Sequence, residues 1–382
     1  MIASLSKTKA FIILAGLFVG LVLLTACLLA PVPAINQVET QVSTTFSTLP
    51  FTLAPAFTAT LAPSLTSTPT ATPEPTTENV CPGGNCAYTC LSKLKSFLNG
   101  PGQPLSPPNS IYPKPGRSLK MTTLVTYQIN GDQITSPVLA TKLASDLLPY
   151  QADTAAQQRI WDFFAKIIPS GQRRKIKDFV IATDGSGGVL ASISLLTADL
   201  SNWQLNVDIV DSVDPTNMTY TLLHEFGHLL TLDSAQITPD LQVLQNPNNL
   251  QVYATESATC PQFLTLEGCS KPDSIINNFY QKFWVKLYDS WAKINAVTDP
   301  ATYNKQLGEF YFAHQDQFVT SYSATSPEED IAEAWAHFIF DARPTGNSIA
   351  AQKLLFFYGY PDLVSLRNQI VNNICLYSVT PQ

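Results

Sequence analysis

Thr219-Tyr-Thr-Leu-Leu-His224-Glu225-Phe226-Gly227-His228-Leu-Leu-Thr-Leu-Asp233 is the stretch on which the reading of this chain turns. Leu222, Leu223, Leu229, Leu230 and Leu232 recur at helical spacing and suit a buried central helix. Asp214-Pro215 upstream supplies an N-cap and a first helical residue. His224 and His228 stand at i and i+4, so both imidazoles lie on one face and can reach one ion. Glu225 sits about 100° around the helix from His224, within reach of a metal-bound water without being a ligand. Ligands, a water and a base are what a hydrolytic zinc site requires. The bland alternative is a chance HExxH on an amphipathic helix, in a chain of 382 residues with four His. Gly227 costs helix stability relative to Ala, and its return would be the close approach of another segment.

Two imidazoles are too few, because catalytic zinc takes three protein ligands and a water. Asp233 is five residues past His228, whereas the short zinc motifs place a third ligand six past it, after a Gly turn. Ser234 and Thr231 hold those positions here, so that class is rejected. The better candidate is Thr320-Ser-Tyr322-Ser-Ala-Thr-Ser326-Pro-Glu-Glu329-Asp-Ile-Ala-Glu333-Ala-Trp335. Glu329 and Glu333 are again i and i+4. One can bind the metal while the other accepts a hydrogen bond from a ligating imidazole. The competing reading is a capping box, with Ser326 as N-cap and Glu329 at N3, in an acidic first turn that suits the helix dipole. Glu333, past that turn and among apolar residues, is harder to explain by capping. His314 and His337 could substitute as ligand or transition-state donor, but each reads more readily as a surface or satisfied core residue. Asn217-Met-Thr219 matches a glycosylation sequon, but it falls on the motif helix and is set aside.

His-Glu-Phe-Gly-His at 224–228, and Tyr322 seven residues before Glu329 in Glu-Asp-Ile-Ala-Glu-Ala-Trp, resemble the gluzincin metallopeptidases. Within them the likeness is to the anthrax lethal factor-like domain. The chain is also similar to zinc-binding metallopeptidases among bacterial lipoproteins. The resemblance spans roughly Trp203 to Asp341 and is specific at the motifs. It implies a zincin-like fold and Zn²⁺ held by His224, His228 and Glu329. It implies Glu225 as general base, Tyr322 assisting at the active site, and Glu333 behind the ligands. Substrates would be peptides or proteins. The 101-residue interval from His228 to Glu329 departs from that family by its length.

Outward from these motifs, the chain carries 22 Lys and Arg against 29 Asp and Glu, a net charge of −7, without a run of five like charges. That excludes a basic nucleic-acid surface and a polybasic membrane patch. Lys7 and Lys9 precede an apolar run of 14 residues, Phe11 to Leu24, with the shape of a secretory signal. It ends in Leu24-Thr25-Ala26-Cys27, which resembles a bacterial lipobox. Residues 1–26 are therefore expected to be a signal peptide, and Cys27 a lipidated anchor on the extracytoplasmic face of a bacterial membrane. The alternative, a plain membrane anchor, is short for a span. Residues 27–79 are rich in Thr, Ser and Pro, as in Ser67-Thr-Pro-Thr-Ala-Thr-Pro-Glu-Pro-Thr-Thr77, and read as a disordered stalk. Phe46, Phe51 and Phe57 do not fit a pure stalk.

Residues 80–382 are long enough for one sizeable folded domain, taken as monomeric. Cys260 is expected to pair with Cys269, and Cys375 with one of Cys81, Cys86 and Cys90. A metal site at the latter three ranks lower. Ser118 to Ile129 and Gln133 to Leu139 read as a hairpin around Asn130-Gly131-Asp132. Ala155 to Ile168 has helical spacing. Phe179 to Thr183 and Val189 to Leu196, either side of a Gly-rich turn, read as a second strand pair, and Trp203 to Val210 as a further strand. Ile275 to Trp291 forms one aromatic helical stripe, a core-packing helix rather than a cofactor groove. Strands then helices predict an α+β fold: a small twisted N-terminal sheet, the HExxH helix and a mainly helical remainder. The function expected is a membrane-anchored zinc metallopeptidase. A catalytically silent surface binding module and a zinc-stabilised structural protein are the alternatives.

Overall fold

In a computed structural model of the chain, the description covers residues 86–94, 97, 121–185 and 188–379. The expected leader (1–26), Cys27, the expected stalk (27–79) and Cys81 lie outside them. The described residues belong to one compact unit. A short helix, α1 (Cys86–Leu91), comes first.

The expected hairpin forms as β1 (Thr122–Asn130) and β2 (Gln133–Leu139), with Asn130 paired to Gln133. Gly131 takes a φ of 64° in the two-residue turn, a conformation that costs glycine nothing. Pro137 is tolerated because β2 is an edge strand. α2 (Leu148–Ala152) leads into α3 (Thr154–Ile167), which Asp153 caps through the Ala156 N–H at 2.9 Å. α3 lays Trp161 against Phe179 of β3 (Ile176–Thr183), with ring centroids 5.3 Å apart.

β4 (Ala191–Leu196) and β5 (Asp199–Asp208) complete a five-stranded sheet of order β2-β1-β3-β5-β4. The sheet is mixed, since β3 and β5 run parallel. The expected pairing of the strand at 179–183 with that at 189–196 is therefore corrected: β5 lies between them. Two local contacts explain this. Leu196 pairs with Asp199 across a tight turn, so β5 folds back on β4 and leaves its other edge for β3. The buried Asp208 carboxylate at the end of β5 accepts the Asp184 N–H (2.9 Å) and the Val210 N–H (2.8 Å), holding the ends of β3 and β5 together. β3 and β4 thus do not form a hairpin with each other.

Helices dominate after β5. α4 (Pro215–Leu232) starts as the sequence predicts, with the Asp214 carboxylate accepting the Thr216 and Asn217 N–H groups. β6 (Ile237–Pro239), α5 (Leu241–Gln245), α6 (Leu250–Thr259) and β7 (Gly268–Ser270) follow, β6 and β7 pairing antiparallel. Next come α7 (Ile275–Phe283), α8 (Tyr288–Asn295), α9 (Pro300–Ala313), α10 (Pro327–Phe340), α11 (Ile349–Phe357) and α12 (Pro361–Val379). The order is α+β.

The aromatic stripe packs on the core as expected, but as two helices instead of one. The break falls at Trp284, where the N–H groups of Trp284 and Val285 share the Tyr280 carbonyl. There the indole turns into the interior to bond Asp330. Both expected disulfides that end in described residues form: Cys260–Cys269, and Cys90–Cys375 between α1 and α12.

Candidate metal centre

α4 and α10 bring the two motifs together. Their contact is close because Gly227 has no side chain. A Cβ there would lie 3.0 Å from Trp335 Cδ1 and 3.2 Å from Ala332 Cα. The i and i+4 spacing on α4 sets His224 and His228 on the face turned to α10, with Nε2 atoms 3.1 Å apart. Glu329 Oε2 is 2.9 Å from His224 Nε2 and 3.4 Å from His228 Nε2. These three residues form one group able to hold a metal ion.

The capping reading of Glu329 and the ligand reading turn out to be compatible. Ser326 Oγ accepts the Glu329 backbone N–H at 3.1 Å, so the backbone half of the capping box is present. The Glu329 side chain does not return to the cap. It points at the imidazoles, whose positive charge and hydrogen bonds overcome the effect of burial and hold its pKa well below the usual carboxylate range.

Glu333, one turn on and 4% exposed, accepts from His224 Nδ1 at 2.8 Å. Its other oxygen accepts the Tyr220 hydroxyl (3.0 Å) and the Thr320 hydroxyl (2.6 Å). A proton fixed on Nδ1 leaves the His224 Nε2 lone pair facing the group. Burial acts to lower the His224 pKa, but the bonds and charges of Glu329 and Glu333 outweigh it and raise it well above the ordinary value. His228 is raised too, burial being outweighed by Glu329.

Glu225 projects to the side of this triangle and accepts the Ile193 N–H of β4 at 2.9 Å. Burial raises its pKa despite the two imidazoles. Tyr322 lies in a 3₁₀ turn (Tyr322–Thr325) that precedes α10, its ring centroid 5.8 Å from that of His224. Burial, then the charge of Glu329, pushes its pKa far up, so the hydroxyl keeps its proton. The structure thus brings His224, Glu225, His228, Tyr322, Glu329 and Glu333 into one place.

His314 and His337 stand apart from the triangle. His314 caps the end of α9 and meets Gln317. His337 bonds Asp341 at 2.7 Å and packs edge-on against Tyr220. Asp233 binds Lys175 at 2.8 Å.

Several residues of the centre are not among those singled out from the sequence. Tyr220 could have been found, since it precedes His224 by four residues on the same helix face. Thr320 and the Ile193 N–H could not, because loop and strand placement decides them. Glu267, in the disulfide loop, is close enough for its charge to act on His228 and Glu329, and burial raises its pKa. Burial and Glu267 in turn push Glu328 up to about 7. Among the described residues, no helix is long and apolar enough to cross a membrane. Comparison with models of protein families, with curated proteins and with solved structures finds no match to this chain.

Proposed function

We propose that the protein is a zinc-dependent metallopeptidase with a zincin-like catalytic unit, acting on peptides or proteins outside the cell membrane and anchored through lipidated Cys27. The observation that carries this reading is the triangle of donor atoms. Its edges are 3.1, 2.9 and 3.4 Å. Bonds of about 2.0–2.1 Å to a tetrahedral zinc imply ligand separations of about 3.3 Å. Two imidazole nitrogens and one carboxylate oxygen are also the donor set that a catalytic zinc takes, with a position left for water.

Zinc held by His224, His228 and Glu329 would supply Lewis-acid activation of a water and of the substrate carbonyl. Glu225 would serve as the base: it lies beside the triangle, outside the ligand set, and burial raises its pKa, which suits both taking a proton and passing it to the leaving amine. The Tyr322 hydroxyl, still protonated, is a hydrogen-bond donor for a developing oxyanion. Glu333 orients His224 from behind. The motif resemblance supports the same roles. A binding module would have no use for Glu225 and Tyr322 in these positions.

The test is zinc content and cleavage of a mixed peptide library by the full chain, in wild type, Glu225→Gln and Glu329→Ala. The expected result is one zinc per chain, retained in Glu225→Gln and lost in Glu329→Ala, with cleavage lost in both. A wild type without zinc would sink the reading. Zinc without cleavage of any library member would favour the binding module.

A further inference from the structure

One residue beyond Glu329, α10 carries a charged contact that faces away from the triangle. Asp330 and Lys353 of α11 are both fully buried, with Nζ 2.5 Å from Asp330 Oδ2. The indole Nε1–H of Trp284, at the break between α7 and α8, donates to the same oxygen at 2.7 Å. Ser323, which follows Tyr322, also favours the charged carboxylate. The ammonium is boxed by aromatic rings: Phe318 at 4.2 Å, Phe283 at 5.9 Å and Phe279 at 6.0 Å from ring centroids.

A lysine without solvent contact is rare, and an ion pair in such a place is stabilised less than well-packed apolar residues would be. What the pair offers is direction. Successive side chains on a helix diverge by about 100°. With Asp330 fastened inward to Lys353 and Trp284, Glu329 is turned toward His224 and His228. Rolling α10 about its axis would pull Asp330 off both partners. The same carboxylate meets Ser323, so the turn that carries Tyr322 is fixed to the same point.

We propose that the Lys353–Asp330 pair is a positioning device, which sets the roll of α10 and thereby the place of Glu329 and Tyr322 at the metal centre. This inference rests on the metallopeptidase reading above.

The test uses the full chain with Lys353→Met and Asp330→Asn combined. The double change removes one positive and one negative charge, so the net charge near the centre is unaltered, and Asn can still accept from Trp284. Zinc affinity is measured by competition with a chelator, and ligand geometry by the visible spectrum of the Co²⁺-loaded protein. The expected result is wild-type circular dichroism with zinc bound ten-fold or more weakly and an altered cobalt band. A folded double variant with wild-type zinc affinity and cobalt spectrum overturns the proposal. If the double variant does not fold, Trp284→Phe removes the indole donor and leaves the ion pair. A cobalt band shifted from that of wild type is then expected, and an unshifted band overturns the proposal. A wild type that takes up neither Zn²⁺ nor Co²⁺ removes the metallopeptidase reading itself. Uptake by wild type with no effect of the variants removes this inference alone.

Discussion

Glu333 joins His224 to Tyr220 and Thr320 through its two oxygens. Glu333→Ala leaves three donors without their acceptor. Zinc affinity is expected to fall by about 10- to 100-fold while the ligands stay in place, as chelator competition would measure. An unchanged affinity would make Glu333 a packing residue only. The imidazoles carry a second prediction, for the metal-free protein. His224 and His228 are raised in the folded state because the nearby carboxylates outweigh burial. A group raised on folding stabilises the fold below its unfolded pKa, and that contribution is lost as pH rises through the folded pKa. Glu225, raised by burial, acts with the same sign. Glu329 and Glu333, both lowered, lose their contribution only as pH falls through their own depressed values. Melting of the chelated protein is therefore expected at lower temperature as pH climbs past about 6.5. Zinc uptake should release protons and tighten over the same interval. A melting temperature that is flat or rising there would contradict the placement of the charges. At this scale much was legible in the sequence, because i and i+4 spacing fixes which side chains share a face. Glu329 stayed ambiguous between cap and ligand for a physical reason: its N–H meets the Ser326 cap while its carboxylate faces the imidazoles.

Between elements, the α4–α10 contact decides whether the two motifs meet. Gly227→Ala should gain about 1 kcal/mol of helix propensity. Against that, the new Cβ would press on the buried backbone of Ala332, which lies between Glu329 and Glu333 in sequence. Stability is expected to change little while zinc binds more weakly. Equilibrium unfolding alongside metal titration separates the two effects, and a variant with full zinc affinity would show that α10 can yield without cost. The elements themselves were mostly legible. The hairpin around Gly131, the capped start of α4 and the start of α10 follow from local chemistry that tertiary contacts reinforce. What failed was pairing across a distance. A Gly-rich segment resembles a hairpin turn, yet the tight β4–β5 turn and the Asp208 carboxylate place β5 in the gap. The aromatic stripe likewise keeps its period until the Trp284 indole finds a partner 46 residues away.

At the scale of the whole molecule, the two disulfides among the described residues close loops of very different size. Cys90 and Cys375 are 285 residues apart, Cys260 and Cys269 only 9. On chain entropy alone the first contributes about 5.6 kcal/mol to stability and the second about 2.6 kcal/mol. Replacing Cys90 and Cys375 by Ser should lower the urea midpoint more than replacing Cys260 and Cys269, in unfolding followed without reductant. The reverse order would mean that the small loop is the one that holds the fold. The long bond has a mechanical meaning as well. Tension applied before Cys90 and after Cys375 passes from α1 to α12 through sulfur. The intervening sheet, the histidines and both motif helices lie off the load path, slack while the ends are pulled. In a single oxidised molecule stretched between its ends, the residues between Cys90 and Cys375 would add no length, and that hidden length would appear on reduction.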